Sequence, residues 1–248
     1  MNTIIMTSLL KNYIKEADGS RTAVDFGNIN GIKDVMKSNI KKYNNLTYVA
    51  SDKDAYADND IKAGAIYDSF NIAMPFKHYH LIDGRTSVAE ASKILKQSDL
   101  IILGGGHVPT QNRFFQEYNF AKVLHEVNNA VILGISAGSM NMAEVVYCPP
   151  ELDGEALDNN FTRFFPGLGL TTFNVYPHYN IAEPDIVDGK DIEKEYITPD
   201  SHKADIYLLP DDSYIELTQH HAIVHGEAYL YHNGIKTQIC NTDVTTEL

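Results

Sequence analysis

"AVILGISAGSMNMAEVV", residues 130–146, joins two signals in one span. "AVIL" is a short, continuous apolar run, the pattern of a strand covered on both faces. "GISAG" (134–138) fits G-x-S-x-G with Ser136 at its centre, and "SMNMAEVV" reads as the start of a helix. A strand, a sharp glycine turn and a helix form the context of a nucleophile elbow. Gly134 and Gly138 remove side chains that would clash in the turn. The turn lifts the Ser136 hydroxyl above the sheet edge, and the N–H of Ala137 points where an oxyanion would develop. The plainer alternative is a serine capping a helix in a glycine-rich turn. The strand before and the helix after favour the nucleophile.

The same β-then-α rhythm extends outward. "TIIM" (3–6) and "LIILGG" (100–105) are further buried-strand patterns. "SVAEASKILKQSD" (87–99) and "NRFFQEYNFAKVLHEVN" (112–128) carry helical apolar spacing. "FKHYHLID" (76–83) reads as a strand, and 55–73 as a helix or a lid. Alternating elements of this kind predict an α/β fold, a three-layer sandwich around a mostly parallel sheet. After residue 150 the character changes. A polar loop, "PPELDGEALDNN", is followed by "LTTFNVYPHY" (170–179), a strand ending in a turn. The stretch 184–203 is charged, with helix and loop expected. The tail holds short β-like runs, among them two separated by "HNG", a hairpin signal. With no linker, repeat or low-complexity segment, residues 1–248 read as a single domain with short C-terminal β-hairpins.

Composition narrows the function. The formal charge of −13 argues against nucleic acid or anionic membranes as partners. The two cysteines, Cys148 and Cys240, form no C-x-x-C and suggest no disulfide framework. "MNTIIMTSLLKNY" lacks a basic n-region and reads as a strand, and no apolar run approaches a membrane span, so a cytoplasmic location is expected. "HYH" (78–80) offers a two-histidine face if extended, although surface decoration outweighs a metal site there. No metal and no cofactor are expected. Fifteen tyrosines and ten phenylalanines leave room for a homodimer interface.

A serine nucleophile needs a base and oxyanion donors. "GGGHV" (104–108) ends a predicted strand, so its backbone N–H groups lie at the ligand-binding end of a parallel sheet, beside the elbow. Gly105 and Gly106 are therefore candidate donors beside Ala137. Among ten histidines, His178 in "NVYPHYN" and His107 in the glycine loop stand just past strand ends.

"LILGGG"-type strand end, "GISAGS" about thirty residues on and "PHY" about forty further together resemble peptidase family S51, which contains the aspartyl dipeptidase peptidase E. The resemblance implies a class I glutamine amidotransferase-like fold and a serine peptidase acting on short peptides, with Asp-X dipeptides as substrates. It assigns Ser136 as nucleophile and His178 as base. It places the oxyanion hole at Ala137 and a glycine of 104–106. It expects the third member in the loop after the nucleophile helix, where "CPPELDGE" offers Glu151 first, then Asp153 and Glu155. His107 stands where the family usually has Asn and becomes a candidate substrate contact. A side-chain carboxylate on the substrate calls for an arginine. Of the four arginines, Arg113 and Arg163 are the candidates by their position in the chain.

Two other readings stay open. An α/β-hydrolase esterase would use Ser136, Asp211 or Asp212, and His220 or His221. The histidine within hydrogen-bond reach of Ser136 decides between them. A non-catalytic, small-molecule-binding member of the same fold is the other. A glutaminase is disfavoured, because that chemistry uses cysteine at the elbow.

Overall fold

The computed structural model describes residues 2–17 and 21–248. Five parallel strands form the centre: β1 (Thr3–Thr7), β2 (Asn45–Val49), β3 (His78–Ile82), β4 (Leu100–Leu103) and β5 (Val131–Ile135), in spatial order β1-β5-β4-β2-β3. The chain then starts a second sheet with β6 (Asn174–Pro177) and β7 (Ile206–Leu209), paired in parallel. It returns to the first sheet with β8 (Tyr214–Leu217) and β9 (Ala222–His225), antiparallel beside β1. The hairpin β10 (Ala228–His232) and β11 (Ile235–Cys240) completes the second sheet, and β12 (Thr245–Glu247) edges the first.

The apolar runs are continuous because each strand feeds two cores. In β4, Leu100 and Ile102 pack on one side of the sheet, and Ile101 and Leu103 on the other. The period of two sends successive side chains to opposite faces, so a strand covered twice has no polar face. One core is closed by α1 (Ile32–Asn39) and α2 (Tyr56–Ala73) through Met36, Ile66 and Phe70. The other is closed by α3 (Val88–Gln97), α4 (Val108–Glu117) and α5 (Phe120–Glu126) through Leu95, Phe114 and Phe120. The three-layer α/β expectation therefore holds. Residues 56–73 are helix.

One expectation needs correction. The helix expected over 112–128 begins at Val108, with Pro109 in its first turn, and breaks at Asn119, whose φ of 54° is left-handed. Asparagine tolerates that conformation better than most residues. The expected C-terminal hairpins are present, β8–β9 and β10–β11. The second of them joins β6 and β7 in a four-stranded sheet, β6-β7-β10-β11, over a tyrosine-rich core that includes Tyr176, Tyr179, Tyr229 and Tyr231. The "HNG" turn joins β10 to β11 with φ of 50° at Asn233 and 77° at Gly234, the left-handed pair that a tight hairpin requires.

Candidate active site

The elbow forms where β5 ends. Ser136 sits at φ 52°, ψ −113°, a sparsely populated region for a residue with a side chain. Its N–H donates to Thr7 O at 2.9 Å, and its carbonyl accepts from Ser139 N–H at 2.8 Å, so the turn is pinned from both sides. The glycines on either side are steric necessities. A Cβ on Gly134 would lie 2.6 Å from the Ser139 backbone, and one on Gly138 would lie 2.1 Å from Leu103 O. The turn opens α6 (Ala137–Met140), whose first N–H, that of Ala137, has no partner within the helix.

His178 follows β6 directly and takes a φ of 58°. Its Nε2 is 3.0 Å from Ser136 Oγ, and its Nδ1 is 2.7 Å from Asp211 Oδ1. The main-chain N–H of His178 donates to Ser8 Oγ at 3.2 Å, and that hydroxyl donates to Leu209 O at 2.6 Å. Asp211 lies just past β7. The parallel register pairs Pro177 with Leu209, so the residues after the two strands emerge side by side. The hydrogen bond from His178 holds the Asp211 carboxyl below the usual carboxylate range, with burial opposing. Both side chains are about half exposed.

A cavity of about 230 Å³ opens in front of the pair, with Gly105, Gly106, Ile135, Ser136 and His178 along one side. A Cβ on Gly105 would stand 3.4 Å from Ser136 Cβ, so the glycine loop lies against the nucleophile position. Arg21, Lys62, Tyr13 and Tyr48 line it as well. Arg21 comes from the small hairpin Tyr13–Lys15/Arg21–Ala23 and stacks over Tyr13, 4.6 Å from its ring centre.

Several sequence-predicted residues lie elsewhere. Glu151 does not touch His178. Its Oε2 accepts the Val108 N–H at 3.3 Å, and its own N–H donates to Glu155 at 2.8 Å. The loop is drawn onto the exposed amides at the start of α4 instead. There burial, with the nearby Glu155 and Asp185 carboxylates, raises the Glu151 carboxyl to about 7, against the Val108 hydrogen bond and the positive field of His178. Asp153 is exposed. His107 is held by Thr110 Oγ1 at 2.8 Å and Glu155 Oε1 at 2.9 Å and does not line the cavity. Arg113 is exposed and donates to Thr110 at 3.3 Å, beside a separate cleft with Phe161 and Phe165. Arg163 is bound to the buried Asp200 and stacks on Tyr196. None of these three basic residues lines the cavity, whereas Arg21 and Lys62 do, Lys62 paired with Asp58 at 2.7 Å.

The esterase alternative fails on its own criterion. His178 meets Ser136, whereas His220 and His221 sit at the β8–β9 turn, their main-chain N–H groups donating to Thr218 Oγ1. His80 bonds Asn45 at 3.3 Å, and among the described residues no group of three or more metal-ligating side chains occurs. No helix among them is long and apolar enough to cross a membrane.

Sequence reasoning set Asp211 beside the wrong histidines and missed Arg21 and Lys62. Asp211 carried one usable signal: like His178, it stands just past a predicted strand, "DIYLLP". Nothing local marks Arg21, because the cavity forms only when an N-terminal hairpin folds across the sheet end.

The geometry agrees with the comparisons. The chain superposes on the crystal structure of a peptidase from an acI-B1 Actinobacterium with a TM-score of 0.66 at 12% identity, covering 100% of this chain and 97% of that one. It superposes on a putative peptidase E protein from Listeria monocytogenes EGD-e with a TM-score of 0.59 at 17% identity, covering 97% of this chain and 100% of that one. No curated protein matches the sequence. The sequence profile of peptidase family S51 matches residues 22–225, most of the chain, which therefore belongs to that family.

Proposed function

We propose that this chain is a serine peptidase that cleaves short peptides after an acidic N-terminal residue, through a Ser136-His178-Asp211 triad. The observation that carries the reading is the 3.0 Å contact between Ser136 Oγ and His178 Nε2 at a strained strand-to-helix turn. His178 takes the hydroxyl proton as Ser136 Oγ attacks the scissile carbonyl. The N–H groups of Ala137 and of Gly105 or Gly106 receive the oxyanion. His178 then returns the proton to the leaving amine, and an acyl-enzyme remains on Ser136. Water, deprotonated by His178, releases the acid. Asp211 accepts a hydrogen bond from Nδ1–H, fixes the tautomer and stabilises the imidazolium. Arg21 and Lys62 supply the cations for a substrate carboxylate in a cavity of about 230 Å³.

Hydrolysis of Asp-Leu, Glu-Leu, Leu-Leu and Lys-Leu by the purified chain tests this. Turnover of Asp-Leu well above Leu-Leu and Lys-Leu, abolished in Ser136→Ala, is expected. Equal turnover of all four would remove the acidic preference, and activity surviving in Ser136→Ala would remove the serine mechanism.

A further inference from the structure

Three buried amides stand between the glycine loop and the elbow. Gln111 is fully buried on α4, and its Nε2 donates to Gly104 O at 2.7 Å. Its Oε1 accepts from Asn141 Nδ2 at 3.1 Å. Asn141, also fully buried, reaches Ala137 O and Val108 O, each at 3.2 Å. Its Oδ1 accepts from Asn112 Nδ2 at 2.9 Å, and Asn112 also donates to Pro166 O at 3.0 Å.

The placement has a consequence for peptide orientation. In a trans peptide the C=O of one residue and the N–H of the next point in opposite directions. No cis bond occurs among the described residues. Gln111 grips Gly104 O from the protein interior, so the Gly105 N–H of the same plane is turned away from Gln111. Gly105 itself lines the cavity and lies against Ser136. At the other end, Asn141 ties Gln111 Oε1 to Ala137 O at the start of α6, while the Ala137 N–H belongs to the Ser136–Ala137 plane, whose carbonyl accepts from Ser139 and Met140 N–H. Glycine residues in the loop would otherwise leave its peptide planes free to rotate.

We infer that Gln111 is a positioning residue that fixes the orientation of the oxyanion donor Gly105 N–H, and that Asn141, which holds both Gln111 and Ala137 O, sets the spacing of that donor from the start of α6. The inference rests on the serine-peptidase reading. It goes beyond that reading by assigning a catalytic consequence to amides that never touch substrate. A buried amide chain with every member bonded is costly to disrupt and rigid when intact, which suits this task.

The test is the second-order rate of Ser136 phosphonylation by a fluorophosphonate probe, whose phosphoryl oxygen occupies the oxyanion position. Gln111→Met keeps the volume and removes both hydrogen bonds. Gln111→Asn keeps the amide but withdraws it from Gly104, and guards against a poorly folded first variant. Thr47→Val removes a comparably buried hydrogen bond, that between Thr47 and Ser98 at 2.7 Å, far from the elbow. Losing an oxyanion donor outright costs about 10²–10³-fold, so misorienting one is expected to slow labelling by about 10- to 100-fold in both Gln111 variants. The Thr47→Val rate is expected to match wild type at equal or greater loss of Tm, and the pH midpoint of labelling in the Gln111 variants is expected to stay in place. Wild-type labelling rates in both Gln111 variants, or an equal slowing in Thr47→Val, would overturn the inference alone. A wild-type chain that is neither labelled nor active on Asp-Leu would remove the serine reading and this inference with it.

Discussion

Asp211, and not Glu151, is the carboxylate that meets His178, with 2.7 Å between Oδ1 and Nδ1. The pairing follows from the parallel register of β6 and β7, which delivers the residues after Pro177 and Leu209 to the same end of the sheet. Asp211→Asn is expected to preserve the fold and lower kcat by up to about 10⁴-fold, because an amide can favour the wrong imidazole tautomer. Glu151→Gln is expected to leave kcat within a few-fold. Steady-state kinetics on Asp-Leu separate the two, and the reverse ranking would restore Glu151 to the triad.

Glu151 has a different consequence. Its carboxyl titrates at about 7 in the fold against 4.5 for a free side chain. The folded chain therefore holds this proton more tightly than the unfolded chain. That contribution to stability is fully present below pH 4.5 and declines as pH rises to about 7. The loss is at most about 3–4 kcal/mol. Glu151→Gln still accepts the Val108 N–H but cannot ionise. Its Tm is expected to exceed that of the wild type at pH 8 and to depend less on pH between 5 and 8. A wild-type-like slope in the variant would place the ionisation elsewhere.

Arg21 and Lys62 line the same cavity as Ser136 and His178. Hydrogen bonds to charged groups contribute about 1.5–3 kcal/mol, so Arg21→Gln is expected to lower kcat/KM for Asp-Leu by about 10- to 100-fold. Turnover of Leu-Leu is expected to change little, so the preference for Asp narrows. An equal loss on both substrates would show that Arg21 only supports the hairpin.

Arg163 and Arg113 give the contrasting case. Asp200 is 1% exposed and depends on Arg163 and on Lys203 at 2.9 Å. Arg163→Ala is expected to cost about 1–3 kcal/mol by leaving a buried carboxylate half-compensated, read by urea unfolding. Its kcat/KM on Asp-Leu is expected to hold at temperatures well below Tm. Arg113→Ala is expected to change neither quantity, because its side chain is exposed and bonds only a neighbouring hydroxyl.

The elements nearest the elbow were the most legible in the sequence. "AVIL" and "LIIL" are apolar at every position because both faces of the sheet are covered, and Gly134 and Gly138 are set by contacts a Cβ would violate. His178 was legible because it ends a strand. What escaped depends on register and long-range folding. Asp211 meets His178 through the pairing of two strands separated by 28 intervening residues, from Pro177 to Ile206, which no local pattern encodes. Glu151 looked suitable by its place in the chain, but the free amides of α4 captured its loop. Arg21 reaches the cavity only through a hairpin distant in sequence from the elbow. No sequence pattern singles out Gln111 and Asn141, which are distinguished by their complete burial between the glycine loop and the elbow.

Intact mass after treatment with a fluorophosphonate, on wild type, Ser136→Ala and His178→Ala, tests the central claim most directly. A single adduct on the wild type, absent from both variants, is the expected result, because a serine hydroxyl needs an adjacent base to become nucleophilic. An adduct that persists in Ser136→Ala, or one formed at the wild-type rate in His178→Ala, would contradict the triad.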